Sequence, residues 1–126
     1  MAITSYRDLE VYQRSMKVLI EVHKLALRFP EYERYALADQ VRRASKSVPT
    51  NIAEGYGRRK SAKEFKHYLS MALGSANEMV VHLEISRMLE YTEADQCNML
   101  IEEYTVVCKM LYRLIENWRT YPASQQ

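Results

Sequence analysis

The chain has 126 residues, 48% of them apolar, with 18 basic and 16 acidic side chains for a net charge of +2. That length gives one domain with a core of ordinary size, and three glycines with three prolines are too few for a sandwich, a barrel or any fold that turns often. No apolar run reaches the roughly 18 residues of a membrane span. The start MAITSYRDLE has neither a basic n-region nor an apolar h-region, so no secretory leader is expected. Cys97 and Cys108 are too few for a disulfide framework, which points to reduced thiols and a cytoplasmic location.

Apolar spacing predicts an all-α chain, an antiparallel up-down four-helix bundle formed by residues 1–126 as a single domain. The first helix is expected over about 8–28, with Ser5 and Asp8 as its cap. Leu9, Tyr12, Met16, Leu19, His23 and Ala26 step by three and four and form its inward stripe, widened by Ile20 and Leu27. Phe29-Pro30 ends it, because the residue before proline is pushed out of the α region.

The second helix is expected over about 35–57, with Leu37, Val41, Ala44, Val48 and Ile52 inward. Pro49 interrupts that pattern. It removes a backbone donor and crowds the preceding turn, which predicts a kink or two shorter helices. Gly55 and Gly57 weaken the helix and end it.

The third helix is expected over about 62–90. Ser61 and Glu64 fit a capping box, and Phe65, Leu69, Ala72, Ala76, Met79, Leu83 and Ser86 form a heptad-like seam. Ala72, Gly74, Ser75 and Ala76 make its middle small enough for a neighbouring backbone to come close. The fourth helix is expected over about 93–119, capped by Thr92 and Asp95, with Cys97, Leu100, Tyr104, Val107, Leu111, Leu114 and Trp118 inward. The core centres on Leu19, Val41, Leu69, Ala76, Leu83, Leu100, Tyr104 and Leu111, and Ala123–Gln126 is expected to be a loose tail. A second apolar line on helix 4 (Ile101, Cys108, Ile115) and another on helix 3 (Tyr68, Met71, Val80) either give each helix two packing partners, one of which can be in another subunit, or simply widen the core face.

Catalytic patterns are missing. Gly55-Tyr-Gly57 lacks the spacing of a phosphate loop. Glu64-Phe-Lys-His67 is a single Glu-x-x-His where a di-metal bundle needs two, and its glutamate already serves the capping box. His23 reads as a satisfied core or interface histidine, and Glu78 with His82 as an i, i+4 surface pair. Nothing assembles a nucleophile, a base and an orienting group, so no enzyme, metal or cofactor is expected.

Charge is the informative feature. Residues 1–41 are net neutral, residues 42–67 carry eight basic groups against two acidic ones for +6, and residues 68–126 are at −4. Arg42, Arg43 and Lys46 share a helix face. Arg58, Arg59, Lys60, Lys63 and Lys66 run from the helix 2–3 turn into helix 3. These charges can solvate helix faces or pair with acidic neighbours. They can also form a polyanion-binding surface, with Arg58, Arg59 and Lys60 as its leading candidates because a turn after two glycines is exposed.

Tyr35–Ala44, then Ser47-Val-Pro-Thr-Asn-Ile-Ala-Glu-Gly-Tyr-Gly-Arg-Arg59, then Lys63-Glu-Phe resemble the small bacterial four-helix-bundle proteins encoded in intervening sequences of 23S ribosomal RNA genes. Asp8–Gln13 and Ala72–Glu78 fit as well, so the resemblance covers nearly the whole chain. Members are similar in fold to the accessory proteins of diversity-generating retroelements, which form basic, barrel-like pentamers and associate with a reverse transcriptase and nucleic acid. The resemblance therefore implies a bundle, a homo-oligomer with five subunits favoured, and RNA or DNA as a partner, and it supplies no activity. Within the matched stretch, Pro49 fixes a kink and Asn51 bonds the backbone groups that the kink frees. Glu54 does the same or pairs with Arg58, and Gly55 and Gly57 permit close packing and a chain reversal. The expected function is a non-enzymatic oligomeric scaffold that associates with nucleic acid. The alternatives are a protein-protein adaptor and a purely structural oligomer.

Overall fold

The computed structural model describes residues 2–118, and within them every regular element is helical. A 3-10 turn, Tyr6–Asp8, precedes α1 (Glu10–Ala26), and a second one, Glu31–Glu33, leads into α2 (Leu37–Gly57). α3 (Ala62–Met88) and α4 (Ala94–Asn117) follow. Each helix packs on its chain neighbour and α4 returns to α1, with no close backbone approach across either diagonal among the described residues, so the helices occupy four corners. The contacts give the directions. Tyr56 meets Phe65 and Ser47 meets Ser75 across α2 and α3. Asn77 meets Cys108 and Ser86 meets Cys97 across α3 and α4. Arg14 reaches Glu103 and Arg28 reaches Gln96 across α1 and α4. In each pair the numbers rise on one helix as they fall on the other, so neighbours run antiparallel.

The α3 seam forms as the spacing predicts: Phe65, Leu69, Ala72, Ala76, Met79, Leu83 and Ser86 are all buried. The α2 pattern from Leu37 to Ile52 and the α4 pattern from Cys97 to Leu111 are buried as well, while Leu114 and Trp118 are half-buried. α1 differs. Its buried line is Val11, Ser15, Val18, Val22, Leu25 and Ala26. Leu19 and Tyr12 are half-buried at its edge, and Met16, Ile20 and Leu27 face solvent, Leu27 at 83% exposure. Both lines on α1 have helical spacing. The one turned inward contains a serine because Ser15 is small and gives its hydroxyl proton to the Tyr12 carbonyl at 2.8 Å. Ser45 and Ser86 are buried by the same bond, to the carbonyls of Arg42 and Leu83 three residues back.

The helix ends follow local chemistry. Ser5 and Asp8 do form a capping box, but around the 3-10 turn, and α1 itself begins at Glu10. Bonds from the Thr4 backbone, the Thr4 hydroxyl and the Ser5 backbone hold the Asp8 carboxyl below its usual range. Ser61 accepts from the Glu64 N–H at 3.2 Å, the forward half of the expected box, while the Glu64 carboxylate is taken by Arg58. α3 stops at Met88 in a Schellman turn: Tyr91 N–H bonds the Ser86 carbonyl at 2.9 Å, Glu90 N–H bonds Arg87, and Glu90 stands at φ 57°. Thr92 and Asp95 do not cap α4. Its N-cap is Glu93, without a side-chain bond, and the Thr92 hydroxyl lies 2.9 Å from the Cys97 sulfur. α4 stops at Asn117, with Trp118 already extended, two residues short of the expected end at 119, and the tail Ala123–Gln126 lies outside the described residues.

Candidate nucleic-acid interface

α2 runs unbroken through Pro49, which is buried, so the expectation of two shorter helices is not met. Asn51 gives its amide protons to the carbonyl and hydroxyl of Ser47, at 2.9 and 3.0 Å. The carbonyl deprived of a donor by Pro49 is that of Ser45, four residues before it, so Asn51 does not answer the proline as expected. It positions Ser47 instead, whose oxygen also accepts from Ser75 of α3 at 2.8 Å. Glu54 is exposed, lines a cleft between α1 and α2, and makes no ion pair with Arg58. Gly55 does permit close packing: a Cβ there would stand 2.7 Å from the Tyr68 Cβ and 3.1 Å from Phe65. Gly57 and Gly74 differ, each facing open space, so neither brings a backbone close within the chain.

The eight basic residues fall into two groups, about 18 Å apart along α2 at 1.5 Å per residue from Lys46 to Arg58. In the first, Arg42 reaches the Arg34 carbonyl at 2.9 Å and lies 3.8 Å from Asp39. Arg43 is 81% exposed and lies 3.6 Å from Asp39. Lys46 edges the α1/α2 cleft beside Tyr12 and Met16. Behind this group, His23 of α1 meets the Ser45 hydroxyl at 3.1 Å. Since Ser45 donates to the Arg42 carbonyl, it accepts from the His23 Nε2–H. Burial first, then the charges of Lys46 and Arg42, hold His23 below its ordinary value. His82, read from spacing as part of a surface pair, is 8% exposed. It meets Glu78 at 2.9 Å while its Nδ1 is buried without a partner.

The second group gathers at the end of the bundle where α2 turns into α3. Arg58, Arg59 and Lys60 are all exposed, as the glycine-flanked turn suggests. Two of them are committed. Arg58 pairs with Glu64 at 3.3 Å and lies 5.2 Å over the Tyr68 ring; Arg59 bonds the Tyr56 carbonyl and lies 4.2 Å over the Tyr56 ring. Lys60, Lys63 and Lys66 have no carboxylate partner among the described residues, and of the eight residues none pairs with α4. Charge density without local compensation is thus greatest at the lysines.

The second apolar lines also fall differently from their expected places. Ile101, Cys108, Ile115 and Val80 are half-buried against the core. Two other strips are open: Met16, Ile20 and Leu27 on α1, and Met71, Val81, Ile85 and Met88 on α3. Among the described residues no cluster of three or more His, Cys, Asp or Glu is arranged to hold a metal, and no helix is long and apolar enough to cross a membrane. Cys97 and Cys108 are both free thiols.

No curated protein matched the chain. Among solved structures, a protein of unknown function from the S23 ribosomal protein family of Bacteroides thetaiotaomicron is similar at a TM-score of 0.75 and 24% identity, over 85% of this chain and 99% of that one, which shows a shared fold. A family model described as 23S rRNA-intervening sequence protein matches residues 7–113, from the turn before α1 to the last part of α4. The chain belongs to the 23S rRNA-intervening sequence protein family.

Proposed function

We propose that this protein is a non-enzymatic, cytoplasmic, oligomeric scaffold that associates with RNA or DNA through the basic end of its bundle. The observation that carries the reading is the convergence of Arg58, Arg59, Lys60, Lys63 and Lys66 on one turn and the helix that follows it, with Glu64 as the only carboxylate in that segment. The lysines of such a cluster repel one another without a carboxylate partner among the described residues; a phosphate backbone relieves the repulsion and releases counterions. Arg42, Arg43 and Lys46 form a second, weaker contact zone, since Asp39 already draws on the two arginines.

Assembly is part of the proposal. The open strips on α1 and α3 stand on helices at diagonal corners, so one strip of a copy can meet the other strip of the next, a heterologous contact that closes into a ring. The resemblance to ring-forming retroelement accessory proteins favours five subunits. A second reading, a protein adaptor or a structural oligomer without nucleic acid, draws on the same apolar strips. Fluorescence anisotropy with labelled RNA and DNA, with Lys60→Glu/Lys63→Glu as the comparison, separates the readings. The scaffold reading expects binding that the double variant abolishes while the oligomer persists, and the other readings expect none.

A further inference from the structure

Sequence spacing offers no aromatic platform beside the basic cluster, yet three-dimensional packing builds one. Gly55 lets the start of the Tyr68 side chain come against the α2 backbone, which brings its ring to the α2–α3 turn. Arg58 lies over that ring at 5.2 Å, with Glu64 holding the guanidinium from one side at 3.3 Å. His67, exposed, meets the same ring edge-on at 5.6 Å between centroids. The Arg58 side chain remains 46% exposed, so the guanidinium over the half-buried Tyr68 ring and the exposed His67 ring beside it are both within reach of a ligand. Lys63, exposed, lies one helical turn before His67 and so shares its face of α3.

We propose that this Arg58–Tyr68–His67 cluster, with Lys60 and Lys63 beside it, is a site for unpaired nucleotides. The inference rests on the nucleic-acid reading above and narrows it to single strands, loops and ends. The lysines meet phosphates, a contact that any nucleic acid offers. Arginine planes and aromatic rings act on the faces of bases, and a continuous duplex hides those faces inside its own stack. The patch from Lys60 to His67 spans about 10 Å of helix, room for two or three nucleotides and too short to follow a groove. Binding by one chain is therefore modest, and linked copies in an oligomer raise it by avidity.

The test compares a short unstructured RNA strand with the same strand annealed to its complement, by anisotropy on the full chain at about 50 mM salt. The strand should bind about tenfold more tightly than the duplex. Tyr68→Leu, which keeps the Cβ that packs on Gly55, and His67→Ala, a surface change that leaves the fold alone, should each remove most of that preference without altering duplex binding. Lys60→Glu/Lys63→Glu should abolish binding of strand and duplex alike. Equal affinity for strand and duplex, or a preference unmoved by His67→Ala, overturns this inference and leaves the scaffold reading standing. Binding of neither form overturns both.

Discussion

The α carbon of Gly55 lies so close to Tyr68 that a methyl group added there would stand 2.7 Å from the tyrosine Cβ, a contact between fixed atoms of two packed helices. Gly55→Ala should therefore force α2 and α3 apart and destabilise the protein by about 1–3 kcal/mol, even though alanine is the better helix former. Gly57→Ala meets nothing within 4 Å and has no positive φ to protect, so it should stabilise by about 0.5–1 kcal/mol. Denaturant midpoints of the two variants, moving in opposite directions, check the relationship.

Gly74 tests the assembly. It sits exposed in mid-helix in the open α3 strip, and a Cβ added there would meet nothing within 4 Å, so a side chain can leave the helix toward solvent. If that strip meets another copy, Gly74→Trp should lower the mass seen by light scattering while leaving helical content and thermal unfolding of the bundle intact. A wild type that is monomeric at micromolar concentration would remove the oligomer from the account.

Tyr104 is fully buried and its hydroxyl has no hydrogen-bond partner among the described residues, and burial pushes its phenol far above the usual range. An unmet buried polar group costs about 1–3 kcal/mol. Tyr104→Phe keeps the ring and discards the hydroxyl, so it should raise stability by about 1 kcal/mol in a urea titration.

His23 gives a pH signature. Its folded-state value is depressed, by burial and then by Lys46 and Arg42, so the unfolded chain takes up a proton that the folded chain refuses. Its contribution is complete above the unfolded value of about 6.5 and is lost as pH falls from there through the lower folded value. His23→Gln should flatten the fall in stability just below that pH. Lys46→Gln should raise the His23 value in an NMR titration, because it removes the larger of the two opposing charges.

The parts of the fold that depend on local periodicity were legible. The seven positions of the α3 seam and the inward line of α2 follow from spacing alone, because each helix has one dominant apolar face. α1 has two lines of equal spacing, and hydrophobicity favours the one with Met16 and Leu19, whereas packing selects the one with Ser15. Helix spacing also suggests a Glu54–Arg58 pair. The chain leaves α2 after Gly57, which turns Arg58 toward Tyr68 and Glu64 on the next helix. The basic cluster could be counted from sequence because its members are close in the chain. The stack beneath it could not, since it depends on how near Gly55 lets α3 come.

The most direct measurement of the central claim is the affinity of the full chain for RNA across a salt series. If Lys60, Lys63 and Lys66 meet three phosphates, log K should fall linearly with log salt at a slope of about −2 per engaged chain for single strands, and Lys60→Glu/Lys63→Glu should abolish binding with the oligomer intact. No binding at about 50 mM salt, or binding that salt and the double variant leave unchanged, would contradict it.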